Sequence, residues 1–269
     1  MKITNSKILI TGGASGMGKM MGEMALIKGA KILVIWDINQ ENINSTVAEL
    51  SRYGEVKGYR VDVSDYDMVQ KGYEQVVEDC GAIDILVNCA GIITSNKTFD
   101  QQTQQEITRT IGINTIAPMF VARAFLPDML KRNSGHICNI TSAGGMLGNP
   151  RMSVYGASKW GAIGWSESLR IELKAAHSKV RVTTVAPYYT NTGMFDGVKS
   201  KVFPILKPEY VSRKIIRAIE KNTIFAGIPF GYHFIRFWQF ILPFHLFDFI
   251  FGEVFGIYHT MDHFIGRKN

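Results

Sequence analysis

Thr11-Gly12-Gly13-Ala14-Ser15-Gly16-Met17-Gly18 follows the apolar run Lys7-Ile8-Leu9-Ile10 and opens a helical pattern that reaches Lys28. A strand that ends in a glycine-rich turn and starts a helix lets backbone N–H groups approach a pyrophosphate with no side chain in the way. The spacing is Gly-x-x-x-Gly-x-Gly, and taken alone it also suits an ordinary glycine-rich turn. The rest of the chain supplies the context. Apolar runs at 7–11, 31–37, 56–61, 83–88, 136–140, 181–186 and 223–226 read as strands. Helical patterns at 16–28, 42–52, 66–80, 103–132, 154–176 and 208–221 lie between them. Alternation of this kind, with nearly continuous apolar strands, predicts a doubly wound α/β fold: one seven-stranded parallel sheet covered on both faces.

The 269 residues are 46% hydrophobic, and no Ser/Gly/Pro-rich linker, repeat or low-complexity run divides them, which predicts a single domain. Cys80, Cys89 and Cys138 show no metal-ligand spacing, so neither a metal site nor a disulfide framework is expected. With the first strand starting near Lys7, no signal peptide or N-terminal anchor is expected, and the cysteines suit a reducing, cytoplasmic setting. The net charge of +7 is concentrated late: from Lys199 onward there are ten Lys or Arg against five acids. No nucleic-acid motif or Arg-rich arm accompanies that bias, so a nucleic-acid partner is not expected and a solvated basic face is the plainer reading.

Three further positions give the glycine turn a chemistry. The second strand ends Ile35-Trp36-Asp37, a carboxylate about 20 residues past the glycines, where it can accept both ribose hydroxyls of an adenosine. Asp37 would repel a 2′-phosphate, and with Ser15 and Ile38 nearby and Lys19 the one basic residue close enough to blur the choice, NAD is expected over NADP. Tyr155 and Lys159 share a helix face, four residues apart, and Ser142 stands 13 residues upstream of the tyrosine. A phenol of reference pKa about 10 beside an ammonium can take a proton from an alcohol, which points to hydride transfer between a nicotinamide and a carbon–oxygen bond. Singly, each residue reads as an ordinary helix surface or turn; jointly with the glycine turn they read as a site.

From residue 7 to 228 these motifs, with others in the same order, resemble the short-chain dehydrogenase/reductase family. Residues 11–18 match its TGxxxGxG pattern, Asp62-Val63 looks like its adenine-holding pair, and Asn88-Cys89-Ala90-Gly91 is similar to its NNAG motif. Asn114 resembles its catalytic asparagine, and 187–194 its PGxxxTxM segment. The resemblance implies a Rossmann-type fold, a catalytic set Asn114, Ser142, Tyr155 and Lys159, and cofactor contacts from Gly12, Ser15, Gly16, Met17, Gly18, Asp37, Ile38, Asp62, Val63, Asn88, Ala90, Gly91, Tyr155, Lys159, Pro187, Thr190 and Thr192. Lys159 would lower the Tyr155 pKa and hold the nicotinamide ribose. Two positions depart from the pattern: Cys89 replaces the second Asn of NNAG, and Tyr188 replaces the glycine after Pro187.

Trp36-Asp37-Ile38-Asn39, Phe125-Leu126-Pro127, Gly135-His136-Ile137 and Asn191-Thr192-Gly193-Met194-Phe195 are similar to the branch that contains retinol dehydrogenases and lipid-droplet hydroxysteroid dehydrogenases. That implies a hydrophobic alcohol as substrate, a retinoid, steroid or long-chain alcohol. A 3-oxoacyl-carrier reductase using NADPH and a catalytically silent dinucleotide-binding module are the alternatives; Asp37 speaks against the first and the four intact positions against the second. The expected assembly is a homodimer or homotetramer through the helices at 103–132 and 154–176, with Ile116, Met119, Phe120, Ile163 and Leu169 facing outward. Beyond the body at 1–228 lies an extension at 229–269. Thirteen of the chain's 30 aromatics fall within 225–258, interrupted by Arg236, Pro243, Asp248 and Glu253, so no spanning helix is expected there. The extension is read as a lid over the substrate, an oligomer contact, or a peripheral membrane patch assisted by Lys199, Lys201, Lys207 and Arg236.

Overall fold

The computed structural model describes residues 1–201 and 203–266. Seven strands, β1 (Lys7–Thr11), β2 (Ile32–Asp37), β3 (Glu55–Arg60), β4 (Ile85–Asn88), β5 (His136–Ile140), β6 (Arg181–Pro187) and β7 (Phe225–Ile228), form one parallel sheet in the order β3-β2-β1-β4-β5-β6-β7. The helices are α1 (Gly16–Ile27), α2 (Gln40–Leu50), α3 (Tyr66–Cys80), α4 (Gln104–Ile111), α5 (Ala117–Lys131), α6 (Ser153–Ala175), α7 (Pro208–Glu220), α8 (Tyr232–Ile241) and α9 (Phe244–Phe247). The strand order reverses between β1 and β4, and in such sheets the crevice at the carboxyl ends of those strands is where ligands bind.

The two faces of the sheet follow from the period-2 alternation of strand side chains. Ile8, Ile10, Leu33 and Ile35 pack with Met21, Leu26, Ile43, Ile215 and Ile219 on one side, under α1, α2 and α7. Leu9, Val34, Trp36, Leu86 and Ile137 pack with Val69, Val121, Phe125 and Leu173 on the other, under α3, α5 and α6. Trp36 and Phe125, both fully buried, meet with ring centroids 5.5 Å apart. Helix starts are set locally. Asn39 accepts from the Asn42 N–H, Asp65 from the Met68 N–H, and Thr103 and Glu106 form a reciprocal capping box, each such cap contributing about 1 kcal/mol.

Two expectations are corrected. The single helix expected over 103–132 is two helices, α4 and α5, joined by a π-turn over Gly112–Ile116. The wider turn carries Asn114, whose side chain makes three hydrogen bonds inward; π-bulges of this kind recur at functional sites. Ile163 and Leu169, expected on an outward face, lie in the core instead, and the exposed apolar residues of this layer are Ile116, Leu130, Trp160 and Ile171. The helical phase is set by the demand to cover β5 and β6, not by any partner.

After β7 the chain runs through α8, breaks at Pro243, and continues through α9, a π-turn at Asp248–Val254 and a 3-10 turn at Ile257–His259. Phe247 and Ile257 are buried against the first face of the body. The segment beyond is tied to loops at the top of the sheet. Asn96 donates to the Met261 carbonyl at 3.0 Å, Asn149 to the Thr260 hydroxyl at 2.8 Å, and Ile265 N–H to the Asp196 carbonyl at 2.8 Å. No helix among the described residues is long and apolar enough to cross a membrane.

Candidate active site

Two clefts open side by side at the carboxyl ends of the strands. The outer one is lined by Gly12, Ser15, Gly16, Met17, Gly18, Asp37, Ile38, Asp62, Val63, Ala90 and Gly91, which come from the loops after β1, β2, β3 and β4. The inner one is lined by Ser142, Tyr155, Lys159, Pro187, Thr190 and Thr192 together with apolar Ile92, Leu147, Met152, Phe195, Phe203 and Ile257. Met17, Cys89, Gly91, Ile92, Thr192 and Met194 belong to both, so the clefts are continuous.

The outer cleft is shaped by the turn after β1. Gly12 and Gly16 have φ of 64° and 50°, a region that costs other residues strain, and a Cβ on Gly12 would stand 2.9 Å from Ala90 Cα. A Cβ on Gly18 would overlap the Gly12 carbonyl oxygen, so α1 can start this close to the turn only with glycine there. Thr11 Oγ1 accepts from the Cys89 and Ala90 N–H groups, 3.1 Å each, and pins the loop after β4 to β1. At the far end Asp37 accepts from Ala14 N–H and Asn39 N–H, and Asp62 accepts from both the N–H and the hydroxyl of Ser64.

The inner cleft gathers its polar groups from three elements. Ser142, two residues beyond β5, caps the short turn at Ala143–Gly145 and accepts from Gly144 N–H at 3.1 Å, which holds its hydroxyl toward the ring of Tyr155. Tyr155 and Lys159 project from α6, both buried, and the Lys159 ammonium stands 5.9 Å from the centre of the Tyr155 ring and donates to the Ile140 carbonyl at 3.3 Å. Burial pushes the Tyr155 phenol up to about 12, against the pull of the Ser142 hydroxyl, and pushes the Lys159 ammonium down to about 8. The expectation that Lys159 lowers the Tyr155 pKa is therefore not met by this arrangement: desolvation of both groups outweighs their proximity.

Two predicted residues stand behind the clefts rather than in their walls. Asn114 accepts from Ile92 N–H at 2.8 Å and donates to the Ile92 carbonyl at 2.9 Å and to Ser158 Oγ at 3.0 Å. Its Oδ1 and the Lys159 Nζ both lie 3.3 Å from where a Cβ on Gly91 would stand, so the amide and the ammonium flank one spot. Asn88, expected at the cofactor, is turned away from it. Its amide donates to Asn139 Oδ1 at 2.8 Å, and Asn139 donates to Ser166, because a buried amide at the end of β4 finds its partners across the sheet.

Several contacts escaped sequence reasoning. Parallel pairing of β2 with β3 sets Arg60 opposite Asp37, and Arg60 donates to the Ile38 carbonyl at 3.3 Å. Lys19, expected to be the nearby cation, is paired with Glu49 at 2.7 Å instead. Arg109 of α4 lines the outer cleft. The departure Tyr188 is half of an aromatic wall: its ring packs on Tyr189 at 4.8 Å and Phe203 at 5.6 Å, and its hydroxyl meets Ser200 at 2.8 Å. The departure Cys89 is lodged between the clefts, its thiol pushed up to about 12 by burial. Only the strand register could have revealed Arg60, and nothing local marks Arg109.

A doubly wound sheet with two joined clefts at its switch point, one glycine-lined and one apolar with a buried phenol and ammonium, defines an α/β oxidoreductase. The chain belongs to the short-chain dehydrogenase family, whose profile, described as short chain dehydrogenase, matches residues 6–202. Epidermal retinol dehydrogenase 2 of Mus musculus is 34% identical over 97% of this chain and 85% of its own length. Estradiol 17-beta-dehydrogenase 11 of Homo sapiens is 33% identical over 90% of this chain and 80% of its own. In three dimensions, a short chain dehydrogenase/reductase from Burkholderia phymatum, solved in complex with NAD, superposes with a TM-score of 0.80 at 24% identity, covering 89% of this chain and 95% of that one.

Proposed function

We propose that this protein is an NAD-dependent dehydrogenase that interconverts a hydrophobic alcohol, a retinoid, steroid or long-chain alcohol, and its carbonyl. The observation that carries this reading is the junction of the two clefts, where Tyr155, Ser142 and Lys159 line an apolar pocket that shares Gly91 and Thr192 with the glycine-lined one, the Lys159 Nζ 3.3 Å from where a Cβ on Gly91 would stand. The glycine cradle suits a dinucleotide, since a Cβ at Gly12 would press on Ala90 and one at Gly18 on the Gly12 carbonyl, so only glycines let the turn, the loop after β4 and the start of α1 close around one cleft. Gly12, Ser15, Gly16, Met17 and Gly18 would hold the pyrophosphate, Asp37 the adenosine ribose, Asp62 and Val63 the adenine, and Ala90, Gly91, Pro187, Thr190, Thr192 and Lys159 the nicotinamide half.

When bound, NAD supplies the hydride acceptor. The chain's own residues manage the proton. Ser142 Oγ orients the alcohol oxygen and Tyr155 Oη, in its ionised form, takes the alcohol proton; Lys159 then passes that proton to solvent through a water that Asn114 supports, which returns the phenol to its ionised form. Apolar side chains around the pocket keep water from the reacting carbon. Similarity to retinol and estradiol dehydrogenases supports the substrate class. Mixing protein and NAD with retinoid, steroid and fatty alcohols in turn, and following absorbance of the reduced nicotinamide, tests it; silence with every hydrophobic alcohol would refute the reading.

The cofactor choice has its own test. Asp37→Ala with Ile38→Arg removes the repelling carboxylate and adds a guanidinium beside Arg60, so the ratio of kcat/KM for NAD over NADP should fall by about 100-fold or more, as a 2′-phosphate gains charge-assisted bonds. Wild-type preference for NADP would refute the role given to Asp37.

We further read residues 1–228 as the catalytic body and 229–269 as an extension that closes the substrate side and meets a membrane surface from the cytoplasm. Assembly as a dimer or tetramer would use the layer bearing Ile116, Leu130 and Ile171. Light scattering at micromolar concentration should give a mass at least twice the 30.1 kDa of one chain; a monomer mass would refute it.

A further inference from the structure

We propose that the aromatic face of α8 and α9 docks on an anionic lipid surface, and that the inner cleft draws its alcohol from that surface. The second half rests on the dehydrogenase reading above; the first does not.

The extension is anchored from within and bare without. Leu242, Phe251, Phe247 and Ile257 pack against the body, with Phe247 and Phe251 stacked at 4.7 Å. On the other side Phe240 is 93% exposed, Phe244 76% and Phe230 74%, with Phe234, Phe237 and Phe249 also in solvent. So many large aromatics on one stretch mark an interaction surface. α8 has ten residues and ends at Pro243, too short to span a bilayer and suited to lying in its interface.

Charge selects the occupant. Residues 221–247 contain no Asp or Glu. Exposed Lys199, Lys201 and Lys207 flank them, and the Lys201 side chain lies against Gly256, its Cδ 3.4 Å from where a Cβ there would stand. The nearest acids, Asp248 and Glu253, are engaged within the extension by the Tyr258 hydroxyl and by His259, so a second copy meeting this face across a two-fold axis would set lysines near lysines with no carboxylate in 221–247 to answer them. A layer of anionic headgroups over acyl chains satisfies the lysines and the phenylalanines together. Arg236 would add to this by sequence, but its side chain lies outside the described residues, as do Arg267 and Lys268.

The docking face adjoins the inner cleft. Phe203 lines the cleft and touches the start of α8, its ring 3.2 Å from where a Cβ on Gly231 would stand. Ile257, from the same extension, lines the cleft as well. On the other side, Met146 joins Trp160, Phe237, Phe240 and Phe244 in an apolar groove, while the next residue, Leu147, faces the cleft. The groove and the cleft are thus parted by the buried Met146 and Leu147, and the apolar rim that the docking face shares with the cleft is the one formed by Phe203 and Ile257, where an apolar alcohol dissolved in the lipid would enter.

The test is flotation of the full-length protein with phosphatidylcholine vesicles that contain phosphatidylserine, beside pure phosphatidylcholine vesicles. The protein should float with the anionic vesicles, and high salt should weaken but not abolish the association. Phe240→Glu with Phe244→Glu, both at solvent-facing positions, should cut the bound fraction about tenfold. The double variant should keep its turnover of a water-soluble short-chain alcohol and lose about tenfold on a long-chain alcohol dissolved in the vesicles. Flotation unchanged by the two substitutions would overturn the docking, as would a fall in assembly mass in the double variant, which would assign this face to a second copy. Flotation lost with vesicle-borne turnover intact would overturn the delivery of substrate. A wild type that floats but turns over no alcohol would leave the docking standing and remove the dehydrogenase reading.

Discussion

Tyr155→Phe should lower turnover by about 1,000-fold, within the range that a positioned acid–base group supplies, while NAD affinity changes by no more than about threefold. The substitution removes one oxygen from a ring already buried against Phe195, with ring centroids 5.8 Å apart, so packing is preserved and the loss reports chemistry. The pH profile adds a second reading. Because burial holds the phenol up near 12, its ionised fraction grows with pH across the neutral range, and alcohol oxidation should rise with pH in the wild type. That rise should flatten above about 8, where the buried Lys159 loses its proton and with it the positive charge beside the phenol. The Phe variant should show neither feature. Retention of more than about a tenth of wild-type turnover would remove Tyr155 from the role of proton acceptor.

Gly18→Ala should abolish NAD binding, weakening it by 100-fold or more as judged by calorimetry, because one methyl group cannot be added without moving the start of α1 away from Gly12. The pyrophosphate would then lose both the closest backbone N–H groups and the helix terminus that favours its charge. Of the residues that would shift, Met17 alone reaches the inner cleft, so the fold below the turn should persist, with near-wild-type secondary structure by circular dichroism. Unimpaired NAD binding in this variant would show that the glycine-lined cleft is not where the dinucleotide lies.

The sequence by itself determined the seven parallel strands, their alternation with helices, and the line of positions running from Gly12 through Asp37 and Ser142 to Tyr155 and Lys159. These were legible because each depends on short-range physics: period-2 or period-3.6 burial, a turn that tolerates only glycine, a four-residue step that puts two side chains on one helix face. The tertiary structure alone decided what depends on register and burial. The π-turn that aims Asn114, the pairing that sets Arg60 opposite Asp37, and the turning of Asn88 into a buried network arise between elements far apart in the chain. The burial of Ile163 and Leu169 has the same origin, since an apolar residue on a helix does not announce whether its neighbour is a sheet or a partner. The pKa values of Tyr155 and Lys159 likewise follow from desolvation, which the whole fold imposes and no four-residue spacing reveals. The aromatic extension divides along the same line: composition marked it as unusual, and only packing separated the buried Phe247 from the bare Phe240, because water is excluded from one side of a helix by what lies beneath it.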